Sequence, residues 1–504
     1  MNDTINPILQ AGYGAHQDGE LDIAAENYRY VLEIAPDNAD ALHLLGLVAL
    51  QKGDPATAAE SIQKSLTQDP ENPQGLDHLG TALLQLGDLK ESVNAFESAL
   101  KMAPEFAECW FNLGNAKEEA GDLMGSIDAY SKAIELHSDF SAAHANLGSA
   151  YIKRQQFADA LAALDTALKL EPALTPAWVS RGTALRGLGH VREAIEAYTK
   201  SLALEENGTV HCLIADCHHD LDQNREAQEH FRAALTIDAN DPNAHIGLGY
   251  CLIRNGTSKE SEAAENSLDA ALAASPGHRR ALAYKTVLLN LTGRLDEARH
   301  LADLERDITI FSLPAPAAYE SLPAFNKQLV TALCADPSLT LNPGNKTTRG
   351  GLQSGELVGQ PDVRIKEFYE GLENVLDGYL TDLAARPDHP QFSTMPTQYR
   401  LESWSTILDA DGHQLPHIHP TAWLSGVYYV AVPSEITPED PAHQGWLEFG
   451  ASGYGLPDHD GPTRLVPPQE GNVVLFPSYF FHRTLPFKSD TKRISIAFDL
   501  IPTD

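Results

Sequence analysis

Residues 73–106, PQGLDHLGTALLQLGDLKESVNAFESALKMAPEF, hold the pattern from which the first part of the chain can be read. Gly80 is one of six glycines, Gly12, Gly46, Gly80, Gly114, Gly148 and Gly182, that succeed one another at steps of 34 residues. Gly87 belongs to a second series with Gly19, Gly53 and Gly121, three of which are followed by Asp54, Asp88 and Asp122. Pro104 belongs to a third series, with Pro36, Pro70 and Pro172. A fixed period of this length marks an array of supersecondary units. Each series has its own physical reason. The first glycine lets two paired helices approach closely, the second supplies a turn conformation hostile to Cβ, and the proline ends the second helix.

Large apolar residues fill the intervals. Leu45, Leu79, Leu113 and Leu147 stand one residue before their glycines, Trp110 and Trp178 four before, and Phe96, Tyr130 and Tyr198 sixteen after. In these landmarks the sequence resembles the tetratricopeptide-repeat consensus. The match runs over residues 1–306 in about nine repeats, with the register slipping near residue 207 and again at TSKESEAAE (257–265). A single repeat cannot bury its apolar face, so neighbours stack into an all-α superhelix whose concave groove receives a peptide or helix. A protein or peptide partner is therefore expected, with a spacer or assembly surface as the competing reading. Cys212, Cys217, His218 and His219 lie inside a repeat with no standard ligand spacing and are read as helix surface and core.

Composition narrows the remaining classes. At 504 residues the chain exceeds one ordinary globular core. With 70 acidic against 36 basic residues, its net charge of −34 opposes phosphate backbones and anionic membranes, so no nucleic-acid or membrane partner is expected. No apolar run is long enough for a bilayer. The start, MNDTINPILQAG, has none of the features of a secretory signal, and five scattered cysteines fit reduced thiols; a cytoplasmic location is expected. No residue pattern specifies an oligomeric state.

After residue 306 the helical period stops, and a second domain, 307–504, is expected. The helical period gives way at FSLPAPAAYESLPAFNKQLV (311–330), LNPGNKTTRGGLQSG (341–355) is Gly/Pro/Thr-rich and typical of loops, and 363–386 read as a helix by its spacing of three and four. Segments 398–408, 423–433, 445–450, 471–478 and 493–501 are β-branched and aromatic between Gly, Pro and Asp turns, which suggests a sandwich or jelly roll. Onto them fall His417-Ile418-His419, then His482, then Arg493-Ile494-Ser495. Residues two apart on a strand share a face, so His417 and His419 can point together and His482 can complete a cap on a metal.

HIHPTAWLSGVYYV (417–430), EGNVVLFPSYFFHRTLPF (470–487) and KRISIAFDL (492–500) together resemble the Fe(II)- and 2-oxoglutarate-dependent oxygenases. The resemblance implies a double-stranded β-helix (jelly-roll) with flanking helices, iron held by His417, His482 and a third ligand, and 2-oxoglutarate as cosubstrate. The superfamily's carboxylate position is occupied here by His419, a departure that leaves the ligand set neutral. His419 is taken as the third ligand; the alternatives are a carboxylate from Asp411 or Glu448, or a site with two protein ligands only, as the resemblance to aspartyl/asparaginyl β-hydroxylases would allow. Arg493 matches the residue that pairs with the distal carboxylate of 2-oxoglutarate, and Ser495 matches the hydroxyl of the Arg-x-Ser motif. Tyr428, with Tyr429 and Ser425, is a candidate for the cosubstrate pocket, core packing being the competing reading. No separate catalytic acid or base is implied. His413, His443 and His459 are read as loop residues, and Arg400 and Arg464 as surface ion pairs. The implied activity is hydroxylation of a protein or peptide recruited by the array; a small-molecule oxygenase and a non-catalytic scaffold are the alternatives.

Overall fold

The computed structural model describes residues 2–343, 346–383 and 389–503, which form two compact units, Met1–Val210 and His211–Asp504. Among the described residues no helix is long and apolar enough to cross a membrane.

The first unit is built from antiparallel helix pairs, beginning with Asn2–Gln17 and Leu21–Ile34, and each pair is set by the residues that recur in the sequence. A Cβ placed on Gly114 would stand 2.5 Å from Tyr130 Cε1, so any larger side chain would drive the two helices apart. Gly12, Gly46, Gly80, Gly148 and Gly182 meet Tyr28, Ile62, Phe96, Leu164 and Tyr198 in the same way, always sixteen positions on. At the turn, Gly87 caps the helix Pro73–Leu86 with φ +80°, a left-handed conformation natural to glycine. The prolines fall just after the second helices, as at Met102 before Pro104. Trp110 and Trp178 donate Nε1–H to the carbonyls of Pro104 and Pro172 at 2.9 Å, pinning the entry of each repeat. His144 and His245 bond the carbonyls of Ser138 and Ala239 across the same six-residue interval.

Helical repeats continue into the second unit and end with Leu295–Leu301. From Ala215 on, their apolar faces share one core with the sheet that follows, in which Tyr284 and Leu288 join Ile418, Tyr429, Phe449 and Phe480. Polar contacts tie the same elements: Arg279 Nε donates to the Ala422 carbonyl at 3.0 Å, and Tyr250 donates its hydroxyl to the Tyr454 carbonyl. Arg464, expected at the surface in an ion pair, has the Glu305 carboxylate 3.9 Å from its Nε and also donates to the carbonyls of Leu304, Glu305 and Ile308, closing the chain's exit from the last repeat. Arg400 does pair with Glu402.

The sheet consists of β1 (Thr309–Ser312), β2 (Thr340–Leu341), β3 (Thr348–Gln353), β4 (Tyr399–His417), β5 (Leu424–Ala431), β6 (Leu447–Phe449), β7 (Arg464–Val466), β8 (Asn472–Pro477), β9 (His482–Thr484) and β10 (Arg493–Pro502). Its order is β1-β8-β5-β10-β4-β9-β6-β7, every pair antiparallel, with β2 and β3 attached through β4. The result is a curled, jelly-roll-like half-barrel with flanking helices. Part of the stretch read as loop is strand: Thr348–Gln353 finds its partner in β4, a long-range pairing that local composition does not reveal. The predicted helix is observed as Val363–Leu383; its remaining residues, 384–386, lie outside the described residues. That helix and Leu322–Cys334 cover the outer face of the sheet, where Tyr428, Val430, Ile494, Ile496, Phe498 and Leu500 are packed. Alternation along β10 turns Arg493, Ser495, Ala497 and Asp499 to the other side, into the concave face.

Candidate metal centre

β4 ends at His417, which lies directly across the ladder from His482, the first residue of β9. His419 lies beyond the strand, and its amide is held by the Ser478 carbonyl at 2.9 Å, which keeps the segment extended enough to turn both histidines inward. The rings of His417 and His482 are 4.3 Å apart between centroids, and each is 5.1 Å from that of His419. One ligand atom from each of the three lies within 4.8 Å of the others, the one such cluster found among the described residues.

Hydrogen bonds decide which nitrogens face inward. His417 Nδ1 is 2.7 Å from the Leu415 carbonyl and His482 Nδ1 is 2.9 Å from the Phe480 carbonyl. A carbonyl only accepts, so these Nδ1 atoms carry the protons and the Nε2 atoms carry lone pairs. His419 Nδ1 is 2.7 and 2.8 Å from the two carboxylate oxygens of Asp499, so its Nδ1 is the donor there and its Nε2 is the nitrogen left for the cluster. Burial, aided by the neighbouring His419, lowers the His417 pKa to about 3, and burial with the other two imidazoles holds that of His482 well below its ordinary value. Both are thereby kept in the neutral, ligating form. Three imidazole nitrogens converging, two of them on rings held neutral by burial, suit a cation.

The cluster opens into a cavity of about 410 Å³ whose wall includes Thr406, Gln414, Thr484, Arg493 and Ser495. Arg493 is only 1% exposed, its guanidinium lies 5.0 Å over the ring of Tyr429, and its Nε has no hydrogen-bond partner in the protein. The hydroxyl of Thr406 is buried and unpartnered as well, and that of Tyr429 is buried beside the guanidinium. In the ladder Thr406 and Tyr429 flank Ser495 from either side, so one row across three strands presents three hydroxyls. A buried guanidinium without a carboxylate is costly, and this row is suited to receive an anionic, oxygen-rich group.

The remaining candidates are dispersed. Tyr428 points to the opposite face, where it donates to Asn326 at 2.6 Å; a one-residue step along a strand reverses the side chain, and Tyr429 takes the inward position instead. Asp411 sits at a bend with φ +62°, its amide bonded to the Phe487 carbonyl, and Glu448 is ion-paired to Arg483. Neither reaches the histidines. His413 bonds the Asp411 carbonyl on that bend, and in the repeats His218 bonds Gln223 while His219 contacts Cys251. Asp499 was not anticipated from the sequence, although counting in twos from Arg493 puts it on the same face.

Family models place these features among known proteins. Residues 402–499 match the model described as "Putative 2OG-Fe(II) oxygenase", and residues 9–73, 79–139, 179–242 and 141–174 match tetratricopeptide-repeat models. No curated protein matches the chain. Among solved structures, MamA is similar at 26% identity over 32% of this chain and 94% of its own, with a TM-score of 0.31. A tetratricopeptide repeat protein from Parabacteroides merdae is similar at 16% identity over 49% of this chain and 98% of its own, with a TM-score of 0.40. YrrB, described as a TPR protein with an unusual peptide-binding site, is similar at 23% identity over 38% of this chain and 98% of its own, with a TM-score of 0.33. The chain joins an N-terminal tetratricopeptide-repeat region to a C-terminal 2OG-Fe(II) oxygenase domain whose curled sheet carries a three-histidine metal site.

Proposed function

We propose that the protein is an Fe(II)- and 2-oxoglutarate-dependent hydroxylase whose substrate is a protein or peptide, with recruitment assigned to residues 1–306 and oxidation to residues 307–504. The observation that carries the reading is the pairing of three clustered imidazoles with a buried guanidinium, paired with no carboxylate and with its Nε unpartnered, in one cavity. His417, His419 and His482 would hold the iron through Nε2. Arg493 would pair with the distal carboxylate of the cosubstrate, with Ser495, Thr406 and Tyr429 completing its hydrogen bonds. When bound, iron and 2-oxoglutarate supply the oxidising chemistry, in which O₂ yields succinate, CO₂ and one oxygen atom inserted into a substrate C–H bond. The chain's own task is to orient the ligands, to exclude bulk water from the cavity and to bring a substrate to its mouth.

A polypeptide substrate is favoured by the array, since stacked repeats present an extended binding surface far larger than a small molecule requires. The test has two arms. Anaerobic Fe(II) and 2-oxoglutarate should produce a weak visible charge-transfer band, followed by succinate on aeration; absence of both would refute the activity. Captured partners of the His482→Ala protein, returned to active enzyme, should gain the mass of one oxygen atom. Succinate release coupled instead to a small metabolite would overturn the polypeptide reading alone.

A further inference from the structure

The three histidines differ in what stands behind them. His417 and His482 lean on neutral carbonyls, whereas His419 leans on a carboxylate, with both oxygens of Asp499 within 2.8 Å of its Nδ1. Asp499 is 5% exposed, and its Oδ1 also accepts from Ser425 Oγ at 2.6 Å, Ser425 being wholly buried and directly across from it on β5. Its ion-pair partner among the described residues is His419, not a lysine or arginine. A buried carboxylate whose partners are one hydroxyl and one imidazole, with no lysine or arginine, stabilises positive charge delivered through that ring, including that of a cation on its far side.

We propose that Asp499 is the positioning residue of the metal centre, returning through His419 the negative charge that a directly ligating carboxylate would otherwise supply. The inference rests on the metal-site reading above. Asp499 fixes the His419 tautomer and ring orientation and makes Nε2 a stronger donor than those of His417 and His482. The centre then has one strong and two ordinary nitrogen donors, and its net charge with a divalent ion equals that of a two-histidine, one-carboxylate set.

The decisive comparison is between full-length wild type and Asp499→Asn, which keeps the shape and an acceptor oxygen but removes the charge. Co(II) serves as the probe because its visible bands report ligand field directly. The substitution should weaken Co(II) affinity about 10- to 100-fold and shift those bands. Ser425→Ala, which leaves the charge and loosens its anchor, should give a smaller loss of affinity in the same direction. Equal Co(II) affinity and an identical spectrum in wild type and Asp499→Asn would overturn the inference and leave the metal centre standing. A fall in metal-free Tm with an unchanged spectrum would make Asp499 a structural residue only, which also overturns it. Wild type that binds no Co(II) or Fe(II) would overturn the centre itself, and the inference with it.

Discussion

The repeats of the first unit and the sheet of the second solve the burial of apolar surface in opposite ways. In the repeats a glycine meets a side chain sixteen positions away, as Gly114 meets Tyr130, and each contact concerns one helix pair. In the sheet, β1 pairs with β8 and β4 with β10, so strands far apart in the chain must meet before any of the face exists. Stability in the first is a sum of neighbour terms, whereas in the second it belongs to the closed set. The histidine cluster is built on the second kind. His417 and His419 come from the end of β4 and just beyond it, His482 and Arg493 from the starts of β9 and β10, and their convergence depends on the pairing of these strands.

This contrast can be broken or sharpened by substitution. The largest effect is expected for His482→Ala, which should abolish metal binding measured by calorimetry while leaving the melting of residues 1–210 unchanged; a shift in that melting would deny the separation. Next is Arg493→Gln, which removes a charge-assisted pair worth about 1.5–3 kcal/mol. It should raise the 2-oxoglutarate concentration needed for half-maximal turnover about tenfold or more, with Co(II) affinity preserved. Coupled loss of both would mean that the guanidinium supports the sheet rather than the cosubstrate. Gly114→Ala, forced against Tyr130, should cost the first unit about 1–3 kcal/mol in denaturant titration, with metal affinity intact. The smallest effect is expected for Tyr250→Phe, which deletes one hydrogen bond to the Tyr454 carbonyl and should lower the stability of the second unit by about 0.5–1.5 kcal/mol. Because Tyr454 Oη in turn accepts from the amide of Ile418, between His417 and His419, a measurable change in metal affinity would show that the last repeats bear on the centre.

What the sequence discloses follows the same contrast. The array is legible because its contacts recur at a fixed local interval, so spacing alone names the residues that touch. Strand positions are legible in part, since 493–501 and 471–478 are too β-branched to read otherwise. Pairing is not: Thr348–Gln353 is Gly-rich and becomes a strand only against β4. Face is decided by register, and so Tyr428 and Tyr429 could not be told apart until Ser495 was seen opposite Tyr429. Asp499 was hidden for a related reason. It touches no ligand position in the sequence and matters only because His419 leaves the strand and swings across to it.

The shared core of the last repeats and the sheet has a consequence for descent. Upstream of residue 210 a repeat meets only its neighbours, so a whole 34-residue unit can be duplicated or lost without disturbing the phase of glycines and aromatics. Downstream, Tyr250, Arg279 and Leu304 each answer to a particular carbonyl or side chain of the sheet, and no repeat there is exchangeable for another. Gain or loss of a unit is therefore expected to be tolerated at the front of this chain and to disturb the sheet when made among the last repeats.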